Sequence, residues 1–408
     1  MSKSNQNQSY VGPLIIIGLL FFVFGFVTWV NGTLITFFKK AFSLDNTSSY
    51  LVTFAFFISY TVMAIPSSEV LKRTGFKNGM SLGLGIMAVG TIIFIPAAQI
   101  ASYPLFLVGL FTIGIGLTLL QTASNPYATI LGPRESAAQR ISFMGVANKL
   151  AGIFSQRIFG GLLLAGGAAA TPQDELQKVE VPYMILTAIL VVLAVLIKFS
   201  KGLPDVSEEQ VDADGSTIVA AHNSVFAFPN LVLGVIALFC YVGAEVIAGD
   251  TIISYGISLG FPESEASVFG TYTLWLMLAA YGMGIVLIPK YVSQGTCLRA
   301  SAILGLIVTV LAIFTSGFTS VLCIAVLGMA NALVWPALWP LALDGLGKFT
   351  KTASALLIMG ISGGAVLPLV YGKLADSIHS TQQAYWILLP LYAFILYYGL
   401  VGHKKRSW

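Results

Sequence analysis

Apolar positions along this chain fall into twelve runs. Each is near the ~20 residues that cross a hydrocarbon core as a helix. Their approximate limits are 11–38, 47–71, 77–98, 103–132, 137–168, 181–200, 226–257, 265–290, 297–316, 319–346, 350–378 and 382–402. Several contain Gly or Pro, which membrane helices accept. The long polar interval, roughly Lys201 to Ser224, holds Asp205, Glu208, Glu209, Asp212 and Asp214 and little to build a core. It reads as a linker (201–224) between two six-helix units, 11–200 and 225–402. The fold class is therefore an all-α membrane protein of twelve transmembrane helices in two pseudo-symmetric bundles. The halves also echo each other. Asn125-Pro126 through Leu131-Gly132 returns as Trp339-Pro340 through Leu346-Gly347, and Met144-Gly145 returns as Met359-Gly360. The offsets are 214 to 215 residues. A duplicated unit with matching discontinuities points to a transporter whose site lies at the repeat interface.

Polar residues inside apolar runs mark where such a site could be. Gln121, Asn125 and Thr129 recur at i, i+4 and i+8 on the fourth helix and form one stripe. Amides are costly in hydrocarbon, so the stripe should face other helices or a wet cavity. Pro126 is expected to break the helix there. The stretch from Leu119 to Tyr127 thus reads as one wall of a small-molecule site near mid-membrane.

Composition narrows the class. The chain has 408 residues, 57% hydrophobic and 9% charged, whereas soluble domains run near ~25% charged. Lipid is the solvent that such a surface fits. With both termini cytoplasmic, fifteen of the 21 Lys and Arg fall on the cytoplasmic side. Four fall outside (Lys39, Lys40, Lys178, Lys373), and Lys149 and Arg157 lie within a span. That split obeys the positive-inside rule. Cys240, Cys297 and Cys323 give neither a disulfide framework nor metal spacing. Net charge is +4 without a basic cluster, so nucleic acid is not an expected partner. The glycines, Gly114, Gly116, Gly152, Gly160, Gly161, Gly363 and Gly364 among them, are assigned to close helix packing.

Several stretches resemble the major facilitator superfamily in its fucose-permease branch of bacterial sugar symporters. They are Phe24 to Gly32, Leu120 to Tyr127, Leu131 to Ser136, Asn148-Lys149-Leu150-Ala151-Gly152 and Tyr241 to Val246. Within that branch the chain is most similar to glucose/galactose and N-acetylglucosamine permeases. The resemblance implies the major facilitator fold, alternating access, an inner-membrane location and sugar uptake coupled to a cation. Fucose permease carries an Asp where this chain has Gly32 and a Glu where it has Gln121. Both are implicated there in proton coupling, and neither substitute titrates. That departure turns attention to sodium, or to a proton site elsewhere.

A sugar is a ring of hydroxyls with apolar C–H faces, so its site needs amides, carboxylates and aromatic planes. Gln121, Asn125, Asn148 and Asn31 supply amides, although buried amides also bridge helices at ~1 kcal/mol each. On the tenth helix Asn331, Trp335 and Trp339 share a stripe, and Trp335 is the candidate to stack a sugar face or gate the site. Tyr272 and Trp275 read as packing. Charges within spans are costly and therefore informative. Glu245 lies one turn after Tyr241, while Asp250 is about 140° round the same helix. Lys149, Tyr241 and Glu245 join the substrate set, with Asp250 or Glu245 carrying the cation. The alternative is a structural ion pair between Lys149 and a carboxylate of the seventh helix. Sodium wants oxygen ligands, and Asp250 with Thr251 offers them; a proton needs only a carboxylate. Sodium is placed ahead of the proton. Asp344 with Arg134 and Arg140 is the expected cytoplasmic gate, against a solvated surface pair worth under ~1 kcal/mol.

The expected function is cation-coupled uptake of a hexose such as glucose or galactose by a monomer in the lipid bilayer. N-acetylglucosamine or another sugar with protons, or uncoupled facilitation, are the alternatives. No cofactor is implied beyond co-transported Na+ or H+. The spans hold no His and no nucleophile–base pair, which argues against an intramembrane enzyme. A non-transporting sensor is the remaining rival.

Overall fold

The computed structural model describes residues 11–130, 137–164, 172–200, 224–288, 291–346, 349–406 and 408. Among these, ten segments are long and apolar enough to cross a bilayer. One of them, Leu51–Gln99, has 49 residues and turns at Gly75 (φ 74, ψ 168), which makes it two spans. Only glycine takes that backbone without strain. A further span, 137–164, is less apolar because it carries Arg140, Lys149 and Arg157, and it ends in a π-turn at Gly160–Leu164. Twelve spans result among the described residues. In chain order they are α1 (Gly12–Ala41), α2 (51–74), α3 (76–99), α4 (Tyr103–Ile130), α5 (137–164), α6 (Glu180–Phe199), α7 (Pro229–Asp250), α8 (Phe269–Leu287), α9 (Gln294–Phe314), α10 (Gly317–Leu343), α11 (Thr352–Ile378) and α12 (Leu388–Leu400). Residues 201–223 of the expected linker lie outside the described residues.

In the first bundle α1 packs on α5, and the α2–α3 pair packs on α4 and α6. In the second, α7 packs on α11 and α12, and α10 packs on α8 and α9. The seam between bundles is built twice over, by α5 on α8 and by α11 on α2. Those two contacts exchange under the repeat.

Hydrocarbon gives helices no hydrophobic reason to associate, so close backbone approach at glycines must hold them. Gly25 of α1 leaves no room for a Cβ, which would collide with the Asn148 carbonyl of α5. The repeat-related pair in the second bundle is Phe239 of α7 and Gly363 of α11, and a Cβ on Gly363 would collide with the Phe239 carbonyl. One turn further on, Gly152 of α5 meets Trp29 of α1, while Gly243 of α7 meets Leu367 of α11. Each residue lies 214 or 215 positions from its counterpart. The glycine has changed helix both times. A third pair keeps its side: Gly114 of α4 on Ser59 of α2, and Gly328 of α10 on Thr273 of α8.

Three expectations are corrected. The α4 helix runs on through Pro126 to Ile130 without a break. The α10 helix is interrupted at Leu333 (φ −93, ψ 0), because Pro336 has no N–H to offer the Ala332 carbonyl. The two halves therefore do not share a discontinuity there. Gly161 is not a packing glycine, since a Cβ on it would meet nothing within 4 Å.

Gly25→Ala and Gly363→Ala should each cost about 1–3 kcal/mol through overpacking and lower the thermal unfolding midpoint in detergent. Gly85→Ala, also helical but with nothing within 4 Å of a Cβ, should leave the midpoint unchanged or raise it by up to ~1 kcal/mol of helix propensity.

Candidate functional site

The site begins with Trp29. It ends the first stretch of α1, just before that helix breaks at Val30. Gly152 on one side and Gly249 on the other let α5 and α7 close on the indole, which is 5% exposed. Its N–H donates to Asn148 Oδ1 at 3.2 Å, and its carbonyl accepts from Gln156 at 3.3 Å. The Lys149 ammonium stands 4.2 Å from the ring centroid. Such a desolvated cation–π contact is worth ~2 kcal/mol.

Lys149 also reaches across the seam. Its Nζ lies 3.3 Å from Glu245 Oε1 of α7, and both side chains are largely buried. The other carboxylate oxygen, Oε2, accepts from the Tyr241 hydroxyl at 2.9 Å. Tyr241 in turn faces Trp335 at 6.5 Å between ring centroids, and Trp335 stacks on Trp339 at 5.1 Å. Tyr281 and Tyr392 stand near enough to feel the Glu245 charge. One half-buried amide, one ammonium, one carboxylate and two indoles therefore converge at the middle of the seam. The ion pair expected as an alternative is formed. A buried pair and a polar ligand site are compatible, because a ligand hydroxyl can join charged partners without unpairing them.

Other candidates sit apart from this cluster. Gln121 of α4 donates to the Tyr60 hydroxyl of α2 at 2.9 Å. The side chain of Asn125 lies outside the described residues. Asn31 is fully buried, and neither of its amide atoms has a partner among the described residues. Asn331 accepts from Tyr392 at 3.0 Å. Asp250, 4% exposed, lies against Gly32 of α1. The Thr251 hydroxyl is turned away from Asp250, donating to the Ile247 carbonyl at 2.6 Å and pairing with the Tyr385 hydroxyl at 2.7 Å. The pair proposed as sodium ligands is thus not assembled around one point. Asp344 binds Arg406 of the C-terminal tail rather than the expected arginines, and the pair is exposed. Arg134 lies outside the described residues, and Arg140 is buried. Trp275 is half exposed on the outer face, while Tyr272 packs on Phe269 and Phe318. An apolar recess of about 600 Å³ between α9 and α12 has no polar lining and suits a lipid chain.

At one end of the seam the bundles are clasped. Both oxygens of Asp376 on α11 are used on the turn before α2. Oδ1 accepts from the Asn46 backbone N–H (3.1 Å) and Nδ2 (2.7 Å). Oδ2 accepts from the Thr47 backbone N–H (2.8 Å) and hydroxyl (2.6 Å). Lys40 and Glu263 pair at 2.8 Å beside it, and the Tyr50 and Ser254 hydroxyls meet at 3.4 Å below it. At the opposite end Asp344 and Arg406 belong to the same bundle.

The family model of the Major Facilitator Superfamily matches residues 17–368. The chain belongs to that superfamily. It is 34% identical over 408 residues to a protein named glucose/galactose transporter from Brucella abortus, covering 99% of this chain and 97% of that one. It is 29% identical over 422 residues to the L-fucose-proton symporter of Escherichia coli, covering 99% and 95%. The crystal structure of the Escherichia coli fucose:proton symporter superposes with a TM-score of 0.73 at 26% identity, over 96% of this chain and 98% of that one. The major facilitator fold and a multi-pass membrane protein are thus established. The relatives are transporters, not enzymes.

Sequence reasoning missed Trp29, Tyr60 and Asp376 as members of the site or its closure. Trp29 was in view only as part of a motif. Its signal is position: an indole between Thr28 and Asn31, where the apolar run turns polar. Asp376 is a lone acid near the end of an apolar helix. Only the fold places it against the turn at Asn46.

Removing one member of the Lys149–Glu245 pair leaves a buried charge and should cost about 3–5 kcal/mol. Glu245→Gln and Lys149→Met should each lower the unfolding midpoint, and the double variant should recover most of it while failing to bind ligand. Additive loss in the double variant, read in the same melting assay, would count against the pair. Asp376→Ala should open the clasped end. Losing its charged hydrogen bonds at roughly 3 kcal/mol in total shifts the open-to-closed ratio about a hundredfold. Distance measurements between spin labels on the two bundles check this.

Proposed function

We propose that this protein is a cation-coupled hexose transporter working by alternating access. The observation that carries the reading is the Lys149–Glu245–Tyr241 cluster at mid-seam, flanked by Asn148 and by the faces of Trp29 and Trp335. A hexose presents vicinal hydroxyls, which a carboxylate and an amide hold in pairs, and C–H faces, which stack on indoles. Glucose or galactose is the proposed sugar, supported by the name of the Brucella relative. Gln121 and Asn125 extend the polar wall from α4.

With the bundles at 11–200 and 225–402, the positive-inside split puts both termini in the cytoplasm and the Asn46 clasp outside. The described conformation is then clasped on its outer side. Asp344 trades Arg406 for Arg134 or Arg140 when the cytoplasmic end closes. A monomer contains the whole site.

For the cation, sequence favoured sodium through Asp250 and Thr251. The Thr251 hydroxyl is turned to Ile247 and Tyr385 rather than gathered with Asp250, which supports a proton over sodium. The name of the L-fucose-proton symporter is in line with that.

Radiolabelled glucose, galactose and N-acetylglucosamine are to be offered to liposomes holding the pure protein, with sodium and pH gradients imposed separately. Accumulation of a hexose driven by the pH gradient alone is expected. Accumulation driven by sodium alone refutes the proton, and equilibration under either gradient reduces the protein to a facilitator. Glu245→Gln should abolish counterflow of the transported sugar.

A further inference from the structure

One end of the second bundle carries a basic hollow of about 520 Å³ that the sugar cluster does not use. It lies between the first turn of α9, Leu341 near the end of α10, and the end of α12, with Arg299, His403 and Lys404 in its wall. Among the described residues no Asp or Glu lines it. Asp344, three residues beyond Leu341, is engaged by Arg406.

The basic side chains are fixed at their bases and open at their tips. The Arg299 stem lies on Gly399, where an added Cβ would stand 3.2 Å from Arg299 Cγ. Its Nε donates to the Gly295 carbonyl at 3.1 Å and its Nη2 to the Thr296 hydroxyl at 2.8 Å. A guanidinium has more donors than these two bonds use. His403 Nδ1 donates to the Tyr398 carbonyl at 2.9 Å. Its Nε2 turns to Gly295, where an added Cβ would stand 3.4 Å away. Lys404 is exposed and has no acidic partner among the described residues. The first turn of α9 adds the positive end of its backbone dipole. Cations gathered without a counter-charge repel one another, and an anion seated among them relieves that.

The hollow also continues into an apolar path. From it α9 and α12 run packed together into the bilayer. On α9 Arg299, Leu306 and Val310 lie at i, i+7 and i+11, on one face of the helix. Exposed Ile303 lies between them. Leu306 and Val310, with Leu389 and Ala393 of α12, line the apolar recess of about 600 Å³. At 1.5 Å per residue the recess begins about 10 Å along α9 from Arg299. That is within the ~15 Å depth of one leaflet's hydrocarbon. A soluble anion would use the hollow alone, whereas a molecule with a charged head and an apolar tail fits both. Basic pockets between helices at a membrane surface are suited to anionic head groups.

We propose that α9 and α12 bind one anionic phospholipid from the leaflet on the C-terminal side. Its phosphate sits between Arg299, His403 and Lys404, and one acyl chain runs along α9 into the recess. His403 discriminates between head groups. With Nδ1 donating to Tyr398, the neutral ring offers Nε2 as an acceptor, which a head-group hydroxyl satisfies and a quaternary ammonium does not.

Native mass spectrometry of the full chain in detergent counts bound lipid as phosphatidylglycerol or phosphatidylcholine is titrated in. Phosphatidylglycerol should bind more tightly. Arg299→Gln with Lys404→Gln should weaken it roughly twentyfold, at about fivefold for each basic residue, and leave phosphatidylcholine unchanged. Ala393→Trp, which fills the recess, should also weaken phosphatidylglycerol. Lys198→Gln, which removes an exposed cation at the end of α6, should not. Equal affinity for the two lipids in the parent chain overturns the proposal. So does a loss from Lys198→Gln as large as that from Lys404→Gln, which would reflect general surface attraction. Unchanged binding in Ala393→Trp removes the chain from the recess and overturns it too. Displacement of phosphatidylglycerol by inorganic phosphate replaces the lipid with a soluble anion. Arg299 also bonds within its own turn, so if the double variant does not fold, Lys404→Gln decides alone. Unchanged affinity there overturns the proposal.

Discussion

A lysine and a glutamate buried at the middle of a membrane protein must find each other, and here they do so from different bundles. Each ion alone would cost several kcal/mol in low dielectric. The Lys149–Glu245 contact of 3.3 Å is thus a constraint on the whole assembly as well as a local bond. It requires α5 and α7 to approach at one height, and it requires the groups around the pair to be polar or aromatic. Trp29 meets both needs. Its ring supports the ammonium and its N–H orients Asn148. A pair at the middle of the seam also ties the two bundles at a single height, whatever happens at either end.

The glycines explain how helices approach closely enough for this. Trp29 fits because Gly152 and Gly249 have no side chain. The repeat-related site in the other bundle uses Gly243 under Leu367, so duplication preserved the crossing and exchanged which helix is small. The reason is volume: a close crossing tolerates one large residue, and either helix can provide it. The consequence is functional asymmetry. The first bundle sends an indole and an ammonium to the seam, and the second sends a carboxylate and a phenol.

Much of this was legible in the sequence. Twelve apolar runs became twelve spans, since length and hydropathy are local quantities that the bilayer fixes. The 214-to-215 offset was legible too, although the matching discontinuities expected from it are not realised in α4 and α10. Charges in spans were legible as well, because burying them is too costly without a purpose, and Lys149, Tyr241 and Glu245 came together as that cost requires. What was not legible depends on rotation and reach. Thr251 follows Asp250 in sequence, yet its hydroxyl turns back to Ile247 and on to Tyr385. Asp344 finds Arg406, a tail residue no periodicity links to it. Pro126 was expected to break α4 and does not, whereas Pro336 goes with a break in α10. Proline removes one hydrogen bond in either case, and the surrounding packing decides whether the helix bends.

The seam places two carboxylates under opposite requirements within one closed end. Asp376 is surrounded by four donors and serves as an acceptor. Asp250 is surrounded by Gly32, Gly249 and a hydroxyl turned elsewhere, and has no donor among the described residues. Closing that end therefore treats the two carboxylates differently: Asp376 exchanges water for four donors, while Asp250 gives up water and gains none among the described residues.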